Sequence, residues 1–127
     1  MQILPQHEKA IIPIEKLRYY VLDTNHPQGK NKAKVFRASL GMDRDHADIL
    51  SEVLKATLIR SPAVRGRKTQ YGEHWTTYHE IVGLNGQRVV VTVGWIYTIE
   101  NADVPLLVTC FIEPQGRRKF TEALKAG

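Results

Sequence analysis

The sequence predicts an α+β protein in which N-terminal helices precede a mainly antiparallel, three- to four-stranded sheet with one open face. Three observations predict this class. Apolar residues recur at helical spacing in the first half, alternating and β-branched runs fill the second half, and Asn85-Gly86 separates two of these runs. We expect a single domain over 1–127, with a core at about 12–114 and a C-terminal tail or short helix at 115–127.

Three helices are predicted in the first half. The first covers Ile14–Leu22, and the second covers Lys30–Leu40 and ends at Gly41, a typical C-cap residue. The third begins at Asp43, because a carboxylate there caps free N–H groups and favours the positive end of the helix dipole. Its apolar stripe continues to Leu58, so each helix has one face to bury.

The second half predicts strands. Ala63–Gln70 has no apolar periodicity and is predicted as a basic, glycine-containing loop. Strands are predicted at Trp75–Leu84, Gln87–Ile99 and Leu106–Ile112.

The hairpin register predicts which side chains face the helices. With Asn85-Gly86 as a two-residue loop, Val82 faces Val89 and Trp95 faces Thr76. The core face then carries alternating apolar residues from both strands. The open face is predicted to hold a polar and aromatic set: Trp75, Thr77, His79, Thr109 and Phe111. Such a face is also typical of an ordinary solvated sheet surface.

Composition excludes several classes of protein. An apolar fraction of 43% in 127 residues is too high for a disordered chain. The single cysteine, Cys110, excludes an internal disulfide framework and a cysteine-based zinc site. The N-terminus does not resemble a signal peptide and no apolar run reaches membrane length, so we expect a soluble, cytoplasmic protein without a membrane partner. No metal or cofactor motif is present, and none is expected.

The net charge of +5 is concentrated in three clusters that contain no acid. Such clustering favours a phosphate-bearing partner, and equally describes solvated surface and loops. The residues that we predict to bind RNA are Lys30, Lys34, Arg37, Arg65, Arg67, Lys68 and Trp75. Trp75 is included because an exposed indole could stack on a base, although packing against the basic segment is an equal alternative. A third cluster lies at Arg117–Lys119.

The segment His26–Lys34 is the strongest candidate for chemistry. It places a histidine in a turn immediately before a helix that carries several lysines, an arrangement suited to a phosphodiester. A metal-independent ribonuclease needs a base for the 2′-OH proton, an acid for the leaving oxygen and cations for the developing charge. The candidates are His26, His79, Lys32 or Lys34, and Thr109. The alternative is that His26-Pro27 is only a turn and that the lysines keep a helix soluble.

These residues carry a resemblance to a small bacterial domain family of unassigned function. The pattern His-Pro-x-Gly-x-x-Lys-Ala-x-x-Phe, a Tyr-Gly pair, a Gly-containing hairpin, a Trp-containing strand and a closing Leu-Val-Thr strand resembles that family over about 12–114. The matching residues are His26, Pro27, Gly29, Lys32, Ala33, Phe36, Tyr71, Gly72, Gly86, Trp95, Leu107, Val108 and Thr109.

The resemblance implies a toxin. The family occurs as stand-alone proteins and at the C-terminal tips of large bacterial toxins, and its layout is similar to RelE, colicin and barnase-like ribonucleases. Many members are expected to have an arginine where this chain has Leu106. If that arginine is catalytic, activity is weakened here, or a cation from Arg65–Lys68 replaces it.

Two functions therefore follow from the sequence. The first is a ribonuclease of toxin type that cleaves tRNA or mRNA by internal 2′-OH attack and is inhibited by a small acidic antitoxin. The second is a non-catalytic RNA- or protein-binding module. A cleft that brings His26, Lys32 and Thr109 together would favour the enzyme.

Overall fold

The computed structural model describes residues 1–126, and its element order is helices first and sheet second. The helices are α1 (Ile14–Lys16), which continues as a π-helical turn (Leu17–Val21), α2 (Lys30–Leu40), α3 (Ala47–Thr57) and α4 (Gly116–Lys125). The strands are β1 (Ala63–Thr69), β2 (Gly72–Val82), β3 (Arg88–Thr98) and β4 (Leu106–Phe111). They form one antiparallel sheet in the order β1-β2-β3-β4, so the predicted α+β class is confirmed.

The N-terminal helices form where their patterns predict them. α2 ends at Gly41, whose φ of +69° is a left-handed cap that glycine adopts without strain. The Asp43 carboxylate and the His46 ring form a reciprocal capping box at the turn that leads into α3. The first helix has the predicted position, but its second half is a π-helix, in which the N–H of Leu22 bonds to the carbonyl of Leu17.

The predicted hairpin register is wrong by one residue. Val82 pairs with Arg88, so the loop is longer than the dipeptide Asn85-Gly86. The N–H of Gly86 bonds to the carbonyl of Gly83, and Gly86 has a φ of +81°. This is a turn followed by a left-handed glycine, which makes a three-residue loop. Because side chains alternate along a strand, one additional loop residue moves every side chain of β2 to the other face.

The corrected register reverses the predicted faces of β2. Trp75, Thr77 and His79 lie on the core face, all less than 3% exposed, whereas they were predicted to lie on the open face. Trp75 faces Trp95, so the two indoles share a face instead of pointing apart. The core set of β3 was predicted correctly, since Val91, Val93 and Trp95 are buried.

The strand pairing contradicts two further predictions. The segment predicted as a basic loop is β1, an edge strand that pairs with β2 and contains an irregularity between Arg65 and Lys68. β4 has a bulge near Val108, so its buried side chains are Leu107 and Cys110 instead of a strictly alternating set. Thr109 and Phe111 remain on the face away from the core, as predicted.

The C-terminal segment, predicted as a tail or a short helix, is the helix α4. It packs on β2 and β3, on the face opposite to the other helices, where Arg117 bonds to Glu80 and Ala123 is buried. The second face is therefore covered in part, over β2 and β3. Among the described residues, no helix has the length and apolar character needed to cross a membrane.

Candidate functional site

His79 is a buried structural residue, contrary to its predicted catalytic role. Its Nδ1 lies 2.8 Å from Thr57 Oγ1 and its Nε2 lies 2.7 Å from Thr77 Oγ1. Burial, with the positive charge of Arg60, lowers the pKa of His79 from 6.5 to about 3. A neutral ring with no exposed surface cannot exchange a proton with RNA, so His79 belongs to the core and not to the candidate site.

Trp75 is also buried, which removes the predicted base-stacking surface. Its Nε1 donates to Glu73 Oε1 at 2.7 Å, and the Arg65 guanidinium lies 5.3 Å from its ring centroid. Arg65 also pairs with Glu73 at 3.2 Å. The alternative that this indole packs against the basic segment therefore describes its environment.

Lys32 contacts Phe111 at the outer edge of the sheet, on β4. Lys32 Nζ lies 4.8 Å from the centroid of the Phe111 ring, a cation–π contact that joins α2 to β4. Thr109 is two residues from Phe111, and both side chains leave β4 on the face away from the core. Thr109 faces Gly94, where a Cβ would lie 3.1 Å from the Thr109 methyl group, so glycine leaves room for this side chain. We name Lys32, Thr109 and Phe111 the β4-edge site.

His26 lies in the loop that leads into α2. Its Nδ1 accepts the N–H groups of Gln28 at 3.1 Å and Gly29 at 3.0 Å. Its ring packs edge-on against Tyr20 with 4.7 Å between centroids, and Tyr20 belongs to the π-helical turn that contacts β4. Because Nδ1 is occupied as an acceptor, the neutral ring carries its proton on Nε2. His26 therefore offers an Nε2–H as a hydrogen-bond donor.

The predicted RNA-binding cations fall into two groups. Lys30, Lys34 and Arg37 are exposed on α2, the helix that carries Lys32. The three cations of β1 are exposed at the opposite edge of the sheet: Arg65, Arg67 and Lys68. Three strand spacings separate β1 from β4, or about 14 Å. The β1 cations therefore do not replace an arginine at Leu106, which lies on β4 and pairs with Ile96.

A carboxylate that sequence reasoning missed lies next to the β4-edge site. Glu113 follows β4, its side chain is 17% exposed, and Oε2 accepts the Thr92 hydroxyl at 2.9 Å. Lys119 of α4 bonds to Oε1. Thr92 directly faces Phe111 across the ladder, so Glu113 is on the same face as Thr109. The one sequence signal that could have indicated Glu113 is that an acidic residue follows shortly after the Leu-Val-Thr strand.

A separate cavity of about 390 Å³ lies at the other end of the sheet. Its lining includes Arg65, Lys68, Glu73, Trp75 and Tyr97. The Tyr97 hydroxyl donates to the carbonyl of Pro5, and burial together with the charge of Glu73 raises the pKa of Tyr97. The charges of Arg65 and Glu73 compensate each other, so this cavity is less cationic than its composition suggests.

The fold and the β4-edge site define a basic α+β protein with a lysine–aromatic contact at one sheet edge. The model of a family described as "Domain of unknown function (DUF6883)" matches residues 3–114, so the chain belongs to this family. The predicted membership of a family of unassigned function is thereby confirmed. α4 lies outside the matched range.

Comparison with solved structures shows the same fold in a bacterial assembly. A chain of a "Contact-dependent growth inhibition toxin - immunity protein complex from Klebsiella pneumoniae 342" is similar to this chain with a TM-score of 0.60 and 13% identity. The similarity covers 85% of this chain and 97% of that chain. A search of curated proteins gave no match.

Proposed function

We propose that this protein is a bacterial toxin domain that acts as a ribonuclease, cleaving tRNA or mRNA by 2′-OH attack without using a metal ion. The observation that carries the proposal is the contact of Lys32 with Phe111, beside Thr109, which joins residues far apart in the sequence at one sheet edge. The solved complex with the same fold contains a toxin and its immunity protein, which supports a toxin-related role.

Each residue of the proposed site has a chemical role. The Lys32 ammonium stabilises negative charge on the phosphorus oxygens as the 2′-oxygen attacks. The Thr109 hydroxyl and the Nε2–H of His26 donate hydrogen bonds to phosphate oxygens. Lys30, Lys34 and Arg37 attract the RNA backbone, because exposed cations on one helix neutralise several phosphates.

A small acidic protein is the proposed inhibitory partner. The net charge of +5 and the exposed cations of α2 would attract an acidic surface as well as RNA. An inhibitor that covers Lys30, Lys34 and Arg37 would block access to the β4-edge site. We propose no cofactor for the reaction.

The proposal is tested with purified protein, bacterial tRNA and mRNA, and expression in a bacterial host. Wild type should cleave RNA, leave 2′,3′-cyclic phosphate and 5′-hydroxyl ends, and arrest growth. Lys32→Ala should lower the cleavage rate by about 100-fold or more, the size of effect seen when one charge-stabilising donor is lost. Lys55→Ala is the matched control, because Lys55 is an exposed lysine of α3. Intact RNA after incubation with folded wild type would refute the ribonuclease.

A non-catalytic RNA-binding module is the second candidate. The observation that favours it is the loss of both histidines as proton acceptors, since His79 is buried and Nδ1 of His26 is occupied. This candidate predicts RNA binding that weakens with Lys30→Ala or Lys34→Ala and with added salt, without cleavage.

A further inference from the structure

The proposed ribonuclease lacks a proton acceptor among its sequence-derived residues. Lys32 and the N–H of His26 are donors, and a threonine hydroxyl is a weak base. We propose that Glu113 is the general base that removes the 2′-OH proton and that Lys119 of α4 is the residue that positions it. This inference rests on the proposed function.

The first observation in favour of Glu113 as the base is its position. Its carboxylate bonds to Thr92, and Thr92 faces Phe111, whose ring also contacts Lys32. Directly facing residues of antiparallel strands have side chains roughly 5 Å apart. An RNA backbone that crosses the Phe111 ring would therefore have the ammonium and the carboxylate as neighbours, and the ring could stack on a base.

The environment of the carboxylate suits a base. One oxygen accepts the Thr92 hydroxyl and the other binds the Lys119 ammonium, so the carboxylate is fixed in orientation. Each oxygen keeps a second lone-pair direction, which a 2′-OH can use. Tyr78 of β2 also titrates near this carboxylate. Burial raises the pKa of Tyr78, the charge of Lys119 lowers it, and the charges of Glu113 and Glu122 raise it further. The pKa of Lys119 is raised by its hydrogen bond to Glu113.

The proposed step balances with groups of this chain. The 2′-OH proton passes to Glu113, the 2′-oxygen forms a bond to phosphorus, and the bond from phosphorus to the 5′-oxygen breaks. The 5′-oxygen takes a proton from the Lys32 ammonium, and water later returns a proton to Lys32 and removes one from Glu113. The products are a 2′,3′-cyclic phosphate and a 5′-hydroxyl. No oxidant or co-reactant is needed.

The Glu113 carboxylate is held by a residue of α4. The family match ends at residue 114, whereas Lys119 belongs to α4, which Arg117 also ties to Glu80. A helix outside the matched domain therefore holds the carboxylate in place. Replacing Lys119 should leave the base present but less well oriented.

The test is single-turnover cleavage of a short single-stranded RNA over pH 4 to 8. Glu113→Gln keeps the size of the side chain and an acceptor for Thr92, and it should lower the rate by about 100-fold or more with RNA affinity unchanged. It should also remove the rise of rate with pH that titration of the base produces in wild type. Glu113→Asp should be slow but keep that rise, which a purely structural role would not predict. Lys119→Gln should lower the rate by a smaller factor than Glu113→Gln with RNA affinity unchanged, because the base is then present but less well oriented. Lys119→Arg, which keeps a cation beside Glu113, should restore the rate.

The outcomes separate this inference from the proposed function. Glu52→Gln is the control, because Glu52 is an exposed acid of α3. If wild type cleaves and Glu113→Gln cleaves at the same rate, Glu113 is not the base and the ribonuclease proposal stands. If Glu113→Gln is slow but retains the wild-type dependence on pH, the inference is overturned as well. If folded wild type leaves RNA intact, both proposals fail.

Discussion

The buried His79 makes the stability of this protein depend on pH. Thr57 Oγ1 donates to the Val53 carbonyl at 2.7 Å, so it accepts from His79 Nδ1–H. Trp95 Nε1–H donates to Thr77 Oγ1 at 2.8 Å, so the Thr77 hydroxyl donates to His79 Nε2. Every proton in this chain of hydrogen bonds has an acceptor only while His79 is neutral.

The size and sign of the effect follow from proton linkage. The folded-state pKa of about 3 lies below the ordinary value of 6.5, so the unfolded chain binds the proton more tightly. The contribution is complete above pH 6.5 and is lost as the pH falls toward 3. The full loss is about 5 kcal/mol, and about 2 kcal/mol of it falls between pH 8 and pH 5.

The assay is urea unfolding at several pH values, followed by the fluorescence of the buried Trp75 and Trp95. Wild type should lose about 2 kcal/mol more between pH 8 and pH 5 than His79→Gln, which has no titrating ring at this position. NMR titration should show a His79 ring that stays neutral at pH 5. A ring that titrates near 6.5, or identical pH slopes in the two proteins, would refute the hydrogen-bond assignment.

Two other predictions concern close packing. Gly29→Ala would place a Cβ 2.8 Å from the Tyr20 carbonyl oxygen, so it should lower the free energy of unfolding by about 1–3 kcal/mol. It should also lower the rate of RNA cleavage, because the loop that carries His26 would move. Thermal unfolding and the cleavage assay measure the two effects. Gly86→Ala should lower the free energy of unfolding by only about 1 kcal/mol and leave cleavage unchanged, because Gly86 has a positive φ but open surroundings. If the two glycine variants had equal effects, close packing around Gly29 would not be the cause. Burial raises the pKa of the Cys110 thiol, so a thiol reagent at pH 8 should react more than about 100-fold more slowly than with free cysteine until urea is added. Rapid reaction of the folded protein would show that this strand edge opens.

The wrong faces of β2 have one local cause. A two-residue and a three-residue loop can be built from the same Leu-Asn-Gly sequence, and the difference decides whether Trp75, Thr77 and His79 face the core or the solvent. The three-residue loop is reinforced by tertiary contacts at the hairpin. Leu84 N–H bonds to the Leu40 carbonyl at 2.8 Å, and Asn85 Nδ2 bonds to the Ser39 carbonyl at 3.0 Å. The end of α2 thus stabilises the loop that sets the register.

The residues of the candidate site also differ in whether local sequence or tertiary contacts specify their positions. His26 and Lys32 were predicted from a local motif, because a turn and the first turns of a helix are specified by neighbouring residues. His79 was predicted from the face of a strand, which depended on the hairpin loop and was wrong. Glu113 was missed because its neighbours, Thr92 and Lys119, come from β3 and α4, and no sequence spacing brings them together.

The sequence alone determined that the helical half precedes the sheet, the ends of α2, the N-cap of the segment leading to α3 and the basic character of the chain. These features depend on apolar periodicity, capping chemistry and charge, which act over a few residues. Only the tertiary structure decided the register of β2, the bulge of β4, the burial of His79 and the pairing of α4 with the second face. Each of these depends on contacts between residues distant in sequence, where burial of apolar surface and satisfaction of buried polar groups select one arrangement among several that are locally equivalent.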